Sequence, residues 1–295
     1  MKFSTLTIDG APCPVVIDDQ RSIYWAVRDL IPGFSGTLLD IIEDYAKIEK
    51  QLASLPDSGS KLDMSLLCAP IPRPRRNIFC VGLNYRAHAD EVASTQIAIA
   101  PDKNDKTKPN TWPIIFTKMP ECVIGPNDAI ELPRAISEQI DYEAELAVII
   151  GTGGKNIQAK DAMSHVFGFT VSNDVTSRDV QARHKQWVLG KSFDTFCPMG
   201  PWIVTADELI ANNAEISCWV NNELRQQSNT GNMIFDIPTL IETCSRGLTL
   251  YPGDIILTGT PAGVGMAMTP PKYLESGDTV RVEIKGIGVL ENTCK

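Results

Sequence analysis

Asp141-Tyr142-Glu143-Ala144-Glu145-Leu146-Ala147-Val148-Ile149-Ile150-Gly151 sets two carboxylates two residues apart at the mouth of an apolar run. The run is short, rich in β-branched residues and closed by Gly151, which predicts a strand. On a strand, residues i and i+2 share a face about 7 Å apart. Glu143 and Glu145 therefore project side by side, with Ala144 on the opposite face. Like charges held together beside a buried segment repel and lose hydration, so something positive must offset them. A hard divalent cation with oxygen ligands does so most simply. A solvated strand edge with its acids on the wet side is the other reading, and this stretch alone leaves both open.

Outward from that strand, Phe167–Ser172 reads as a second strand running into Asn173-Asp174, a common place for a ligand. Arg178 and Gln181 follow Asp174 at helical spacings of four and seven, so the three can face one pocket. The alternative is an N-cap aspartate on a polar helix. Upstream, His88 and Glu91 stand at i and i+3 in a segment compatible with a short helix at 86–95. A carboxylate beside an imidazole fixes its tautomer and suits it to activate a water, although an isolated His-x-x-Glu is more often a surface pair. Gly190-Lys191-Ser192-Phe193 offers a lysine flanked by Gly and Phe, able to polarise a carbonyl or pair with a carboxylate. It is not a phosphate loop, because position 185 is Lys where a glycine is required. Leu257-Thr258-Gly259-Thr260-Pro261-Ala262-Gly263-Val264-Gly265 is a Gly-rich turn whose N–H groups can hold an anion, or simply a tight turn.

The 295 residues suffice for one large domain or a small plus a large one, and their composition is that of an ordinary globular chain. A formal charge of −9 without a basic stripe argues against nucleic acid as a partner. The eight cysteines form no C-x-x-C pair and lie at no zinc spacing with histidine, so they read as reduced core thiols of a cytoplasmic protein. No signal-peptide pattern and no run of membrane-spanning length occurs, so no membrane association is expected.

Residues 1–70 read as a small α+β unit. It has strands at Phe3–Ile8 and Pro14–Ile17 around Asp9-Gly10, a short helix or turn at Ser22–Leu30, and a helix at Thr37–Leu52. Three prolines among basic residues at 69–76 form an extended connector and set the expected boundary between domains 1–70 and 71–295. Beyond it, strands are expected at Ile78–Val81, Ile114–Lys118, Ala129–Leu132, Trp202–Thr205, Glu215–Val220, Asn222–Gln226, Asp254–Leu257, Thr279–Ile284 and Gly288–Thr293. Helices are expected at Ile157–Val166 and Phe235–Leu248. Pro101–Pro113 reads as a long hydrophilic loop, either a lid or an insertion. Many short strands with few helices predict an α+β, mostly β fold.

In their conjunction and order, these blocks resemble the fumarylacetoacetate hydrolase superfamily over residues 75–295. The blocks are Val81-Gly82-Leu83-Asn84-Tyr85 with His88 and Glu91, Phe116-Thr117-Lys118, Asp141 to Leu146, Asn173 to Arg178, Gly190 to Thr195 and Leu257 to Pro261. The small N-terminal unit also resembles the one that precedes the catalytic domain in many bacterial members. The resemblance implies a mixed β-roll catalytic fold, usually homodimeric. It implies Mg²⁺, with Mn²⁺ or Ca²⁺ as substitutes, on Glu143, Glu145 and Asp174. It makes His88 and Glu91 a water-activating dyad on a mobile lid, Lys191 a further catalytic residue, and Tyr85, Arg178, Gln181 and Thr260 substrate contacts. Three carboxylates leave a divalent ion open positions that a 2-oxo acid can fill, and chelation stabilises the enolate formed when the neighbouring bond breaks.

The leading expectation is thus hydrolysis of a C–C bond in a 1,3-diketo acid of the acylpyruvate or fumarylacetoacetate type. The alternative is decarboxylation or tautomerisation of oxaloacetate, and the Lys191 to Pro198 block resembles the subgroup associated with the tautomerase. A keto-acid-binding homologue without turnover is a third class. The segment between Glu91 and Phe116 is longer and more charged than in compact members, which leaves substrate size open.

Overall fold

The computed structural model describes residues 1–52, 54–95 and 112–295. The expected loop at 101–113 and the 96–113 segment therefore lie, up to residue 111, outside the described residues.

The chain opens with β1 (Lys2–Ile8) and β2 (Ala11–Asp18). Asp9 and Gly10 both take positive φ between them, the mirror-image turn that matches strand twist. Ser22–Leu30 differs from expectation: it holds β3 (Ile23–Ala26) and only then one helical turn, α1 (Val27–Leu30). The Ile-Tyr-Trp run prefers the edge of β2, where Tyr24 pairs with Ile17. In α2 (Leu38–Leu52), Leu38, Leu39, Ile41, Ile42 and Leu52 form the buried stripe. β4 (Ser60–Lys61) closes this region.

The strands that carry the site follow: β5 (Ile78–Gly82), then α3 (Arg86–Ser94), β6 (Ile114–Lys118), β7 (Val123–Ile124), β8 (Ile140–Asp141) and β9 (Ala144–Ile150). Ala129–Leu132 is not a strand, since only Ile130 bridges to the chain end, at Cys294. After β10 (Gly154–Lys155), the helical segment expected at 157–166 is a 3₁₀ helix at Ala159–His165, with bonds such as Asp161 N–H to Gln158 C=O. That tighter pitch delivers the chain into β11 (Val166–Asn173). Then come β12 (Thr176–Ser177), α4 (Arg178–Arg183), α5 (Val188–Lys191) and β13 (Cys197–Thr205). β14 (Glu215–Val220) and β15 (Glu223–Asn229) turn through Asn221 and Asn222, both at positive φ. α6 (Ile237–Ser245) is capped by Asp236, whose carboxylate accepts the Thr239 N–H at 2.9 Å. β16 (Thr249–Leu250), β17 (Ile255–Leu257) and the hairpin of β18 (Thr279–Ile284) with β19 (Gly288–Thr293) complete the chain.

The largest sheet runs β4-β3-β2-β1-β13-β11-β9-β17-β5-β6, and β15-β14-β18-β19 form a second. The fold is mixed and mostly β. The sheet crosses the expected boundary near residue 70, because Lys2 and Phe3 pair with Val204 and Ile203 of β13. β9 lies in the middle, between β11 and β17, and every one of its residues is buried. The wet-edge reading of Glu143 and Glu145 is thereby overturned. At positions 142 and 143 the strand is interrupted. Side chains replace the ladder there: Tyr142 N–H donates to the Asp141 carboxylate and Glu143 N–H to the Asn173 side-chain oxygen.

Candidate active site

Glu143, Glu145 and Asp174 each offer an oxygen within 4.8 Å of the other two, and all three are buried. Glu143 immediately precedes β9 and Glu145 is its second residue. Asp174 follows β11, the neighbouring antiparallel strand, and its N–H donates to the Glu143 carbonyl at 2.8 Å. The N-cap alternative for Asp174 fails, since Ser177 occupies that position before α4.

Cations hold most of this charge. Lys191 Nζ lies 2.7 Å from Glu143 Oε2 and 2.7 Å from Asp174 Oδ2, and 5.0 Å over the Phe116 ring. Arg178 Nη1 meets Glu143 Oε1 at 2.7 Å, and its Nε meets Asp141 Oδ2 at 2.9 Å. Lys118 Nζ meets Asp174 Oδ1 at 2.6 Å. Burial raises the Glu143 carboxyl, but Lys191, Arg178 and His88 outweigh it and bring it down to about 2. Burial raises Glu145 too, and there Asp174 and Glu143 push the same way, so it stands well above the usual carboxylate range. Among the described residues Glu145 has no cationic partner; it accepts the Gly259 N–H at 2.7 Å. Four buried carboxylates, Asp141 included, thus face three buried cations, and the shortfall falls on Glu145. An all-oxygen donor set with an uncompensated negative charge fits a hard divalent cation, held by Glu143, Glu145 and Asp174.

His88 and Glu91 share the inner side of α3, with His88 Nδ1 2.8 Å from Glu91 Oε1. Glu91 in turn accepts the Gly263 N–H, at 2.9 Å on Oε2 and 3.1 Å on Oε1. A carboxylate thus engaged as an acceptor favours a proton on His88 Nδ1, which leaves Nε2 as the basic nitrogen. His88, Phe116, Glu143, Glu145, Arg178, Gln181, Lys191 and Thr260 all line one narrow cleft. Arg178 Nη2 is buried and has no partner among the described residues. Gln181 Oε1 receives Arg178 Nη1 at 3.3 Å, and Thr260 Oγ1 accepts from Gln226 Nε2 at 2.8 Å.

Tyr85 is the exception among the expected contacts. It does not line this cleft but a second one behind α3, with Arg86, Asp90, Ser228 and Pro261. Its hydroxyl is buried without a partner among the described residues and lies within electrostatic reach of Glu145.

The Gly-rich turn after β17 does hold anions, but they are the protein's own. Gly259 N–H binds Glu145, Gly263 N–H binds Glu91, and the Gly265 and Met266 N–H groups bind Asp141 at 2.8 and 2.9 Å. Of the two readings of this turn, the anion-holding one applies, with carboxylates of the same chain as the anions. Three residues of the network were not singled out from sequence. Lys118 was visible as a lone charge ending an apolar strand, and Asp141 as the first acid of Asp-x-Glu-x-Glu. Gln226, which accepts the Ala144 N–H and donates to Thr260, carries no local signal.

The mixed sheet thus gathers a buried carboxylate triad able to hold a divalent ion, a His–Glu acid–base pair and cationic groups around one cleft. The fumarylacetoacetate hydrolase C-terminal family model matches residues 77–295, and the chain belongs to that family. It is 48% identical over 294 residues to the oxaloacetate tautomerase YisK of Bacillus subtilis, covering 94% of each chain. It is 49% identical over 268 residues to a mitochondrial oxaloacetate tautomerase of Bos taurus, covering 88% of this chain and 80% of that protein. Among solved structures, the fumarylacetoacetate hydrolase of Exiguobacterium antarcticum matches with a TM-score of 0.81 at 38% identity, over 100% and 99% of the two chains. A maleylpyruvate hydrolase from Sphingobium matches with 0.79 at 27% identity, over 100% and 99%.

Proposed function

We propose that this chain is a Mg²⁺-dependent tautomerase that interconverts the keto and enol forms of oxaloacetate. The observation that carries the reading is the 48% identity to a protein named for that activity across 94% of both chains. The alternative drawn from sequence thus stands above the C–C hydrolase expectation. In this reading the ion sits on Glu143, Glu145 and Asp174, with Mn²⁺ or Ca²⁺ as substitutes, and the active species is a homodimer. When bound, the ion withdraws electron density from the 2-oxo group and acidifies the adjacent C3 hydrogens. His88 Nε2 takes one C3 proton, Glu91 stabilises the resulting imidazolium through Nδ1, and the imidazolium then delivers that proton to the C2 oxygen to give the enol. The reverse order returns the ketone. Arg178 Nη2 and Lys191 supply positive charge for the substrate carboxylates, and Gln181 fixes the Arg178 plane.

The same dyad suits water activation, so hydrolysis of an acylpyruvate is the competing outcome. Purified protein with Mg²⁺ is assayed in parallel for loss of enol-oxaloacetate and for cleavage of a small acylpyruvate panel. Acceleration of the first with no cleavage supports the tautomerase. Cleavage with an unaltered oxaloacetate rate reinstates the hydrolase. Sedimentation equilibrium checks the assembly, with twice the chain mass expected.

A further inference from the structure

Lys118 is fully buried at the end of β6, and all three of its ammonium protons are directed within the protein. One goes to Asp174 Oδ1 at 2.6 Å, one to the Val175 carbonyl at 3.1 Å, and one to the Lys191 carbonyl. With no proton left over, this side chain does not reach substrate. It is absent from the cleft wall, where Lys191 stands. Its neighbours besides Asp174 are the thiols of Cys122, Cys197 and Cys80, none of which offsets a full positive charge.

We propose that Lys118 is a positioning residue that limits how tightly the carboxylate triad holds its divalent ion while it anchors Lys191. An ion taken up by Asp174 sits close to the Lys118 ammonium, and two cations at that range in a protein interior repel strongly. Lys118 therefore weakens ion binding. Asp174 does not depend on it for orientation, since Lys191 holds Oδ2 and the Asp174 N–H is fixed to the Glu143 carbonyl. The Lys191 carbonyl, in contrast, closes the last turn of α5, and Lys118 satisfies it. Loss of the ammonium thus frees the turn that carries Lys191 and removes a positive charge near the site where negative charge develops on the substrate.

Lys118→Met keeps the unbranched shape of the side chain, one atom shorter, and removes the charge. Titration calorimetry of Mg²⁺ into ligand-free protein is expected to show at least tenfold tighter binding than the wild type. Steady-state kinetics at saturating Mg²⁺ is expected to show kcat lowered at least tenfold with KM changed less. A side chain that merely supported the fold would loosen Mg²⁺ when removed, so the sign of the change is diagnostic. Equal or weaker Mg²⁺ binding, or an unchanged kcat, overturns the proposal. If the Met variant does not fold, Lys118→Gln, whose amide keeps two N–H donors for the carbonyls, is judged by the same two results. The inference rests on the metal reading of the triad, and only its kinetic arm on oxaloacetate as substrate. A wild type that binds no Mg²⁺ overturns both, whereas a wild type that binds it beside a loosened variant overturns this proposal alone.

Discussion

Glu145 carries the charge that the protein does not itself neutralise. Buried beside Asp174 and Glu143 without a cation of its own, it destabilises the ion-free fold at neutral pH. The linkage follows from its raised folded-state value. Protonation favours the fold below the ordinary carboxylate range, and that advantage disappears as pH rises through the folded value. Glu145→Gln is therefore expected to melt at or above the ion-free wild type at pH 8 and to lose the stabilisation that Mg²⁺ gives the wild type. Differential scanning calorimetry with and without Mg²⁺ reads both. His88→Ala, which removes the group at Nε2, is expected to lower turnover of enol-oxaloacetate by about 10²–10⁴-fold, the usual span of general acid–base catalysis. Mg²⁺ binding in that variant should change little, because His88 is no ligand. The meeting of Glu143, Glu145 and Asp174 was implied by the family resemblance; their spacing and the strand end before Asp174 were visible in sequence but left the wet-edge and N-cap readings open. Lys118 and Asp141 were not read as parts of the site, since their partners lie 56 and 37 residues away and nothing local marks the contact.

At the scale of elements, the turn after β17 organises the site through backbone amides. Its N–H groups fix Glu145, Glu91 and Asp141, and through Asp141 they fix Arg178. Gly263 takes φ +105°, and a Cβ there would lie 2.0 Å from the Arg225 carbonyl. Gly263→Ala is expected to cost at least ~1 kcal/mol through backbone strain and to displace the N–H that holds Glu91. A lowered melting temperature together with a fall in kcat larger than the change in Mg²⁺ affinity would support this. A variant that melts lower but turns over normally would remove the turn from the catalytic account. The spacing of glycines predicted an anion-holding turn, but which anions it holds depends on β9 and α3 packing against it. The same limit applies to 129–132, where a plausible strand pattern meets a partner only at Ile130. Hairpins fared better, because Asp9-Gly10 and Asn221-Asn222 encode their geometry locally.

At the scale of the molecule, β1 extends the sheet that carries the site, and one hydrophobic core contains Phe3, Ile41, Phe169 and Ile256 together. We expect residues 1–70 and 71–295 to unfold in a single calorimetric transition. Two separated transitions would mark them as independent units. The eight thiols are unpaired, and Cys68 alone is not fully buried. Burial pushes the thiols of Cys244 and Cys294 up to about 12. A thiol reagent at pH 8 is therefore expected to modify about one cysteine rapidly in the native protein and all eight after denaturation. Rapid modification of several would contradict the packing of the core. The mostly-β class was readable from many short strand patterns, but the joining of β1 to β13 across some 200 residues leaves no mark in local sequence.

We propose that a divalent ion on Glu143, Glu145 and Asp174 serves keto–enol interconversion. The decay of enol-oxaloacetate absorbance tests it most directly, followed with wild type and Glu145→Gln at saturating Mg²⁺ and with wild type in a chelator. Acceleration by the wild type with Mg²⁺, abolished both by the substitution and by the chelator, is the predicted result. A decay no faster than buffer with Mg²⁺ alone, or an acceleration that survives the chelator, would contradict it.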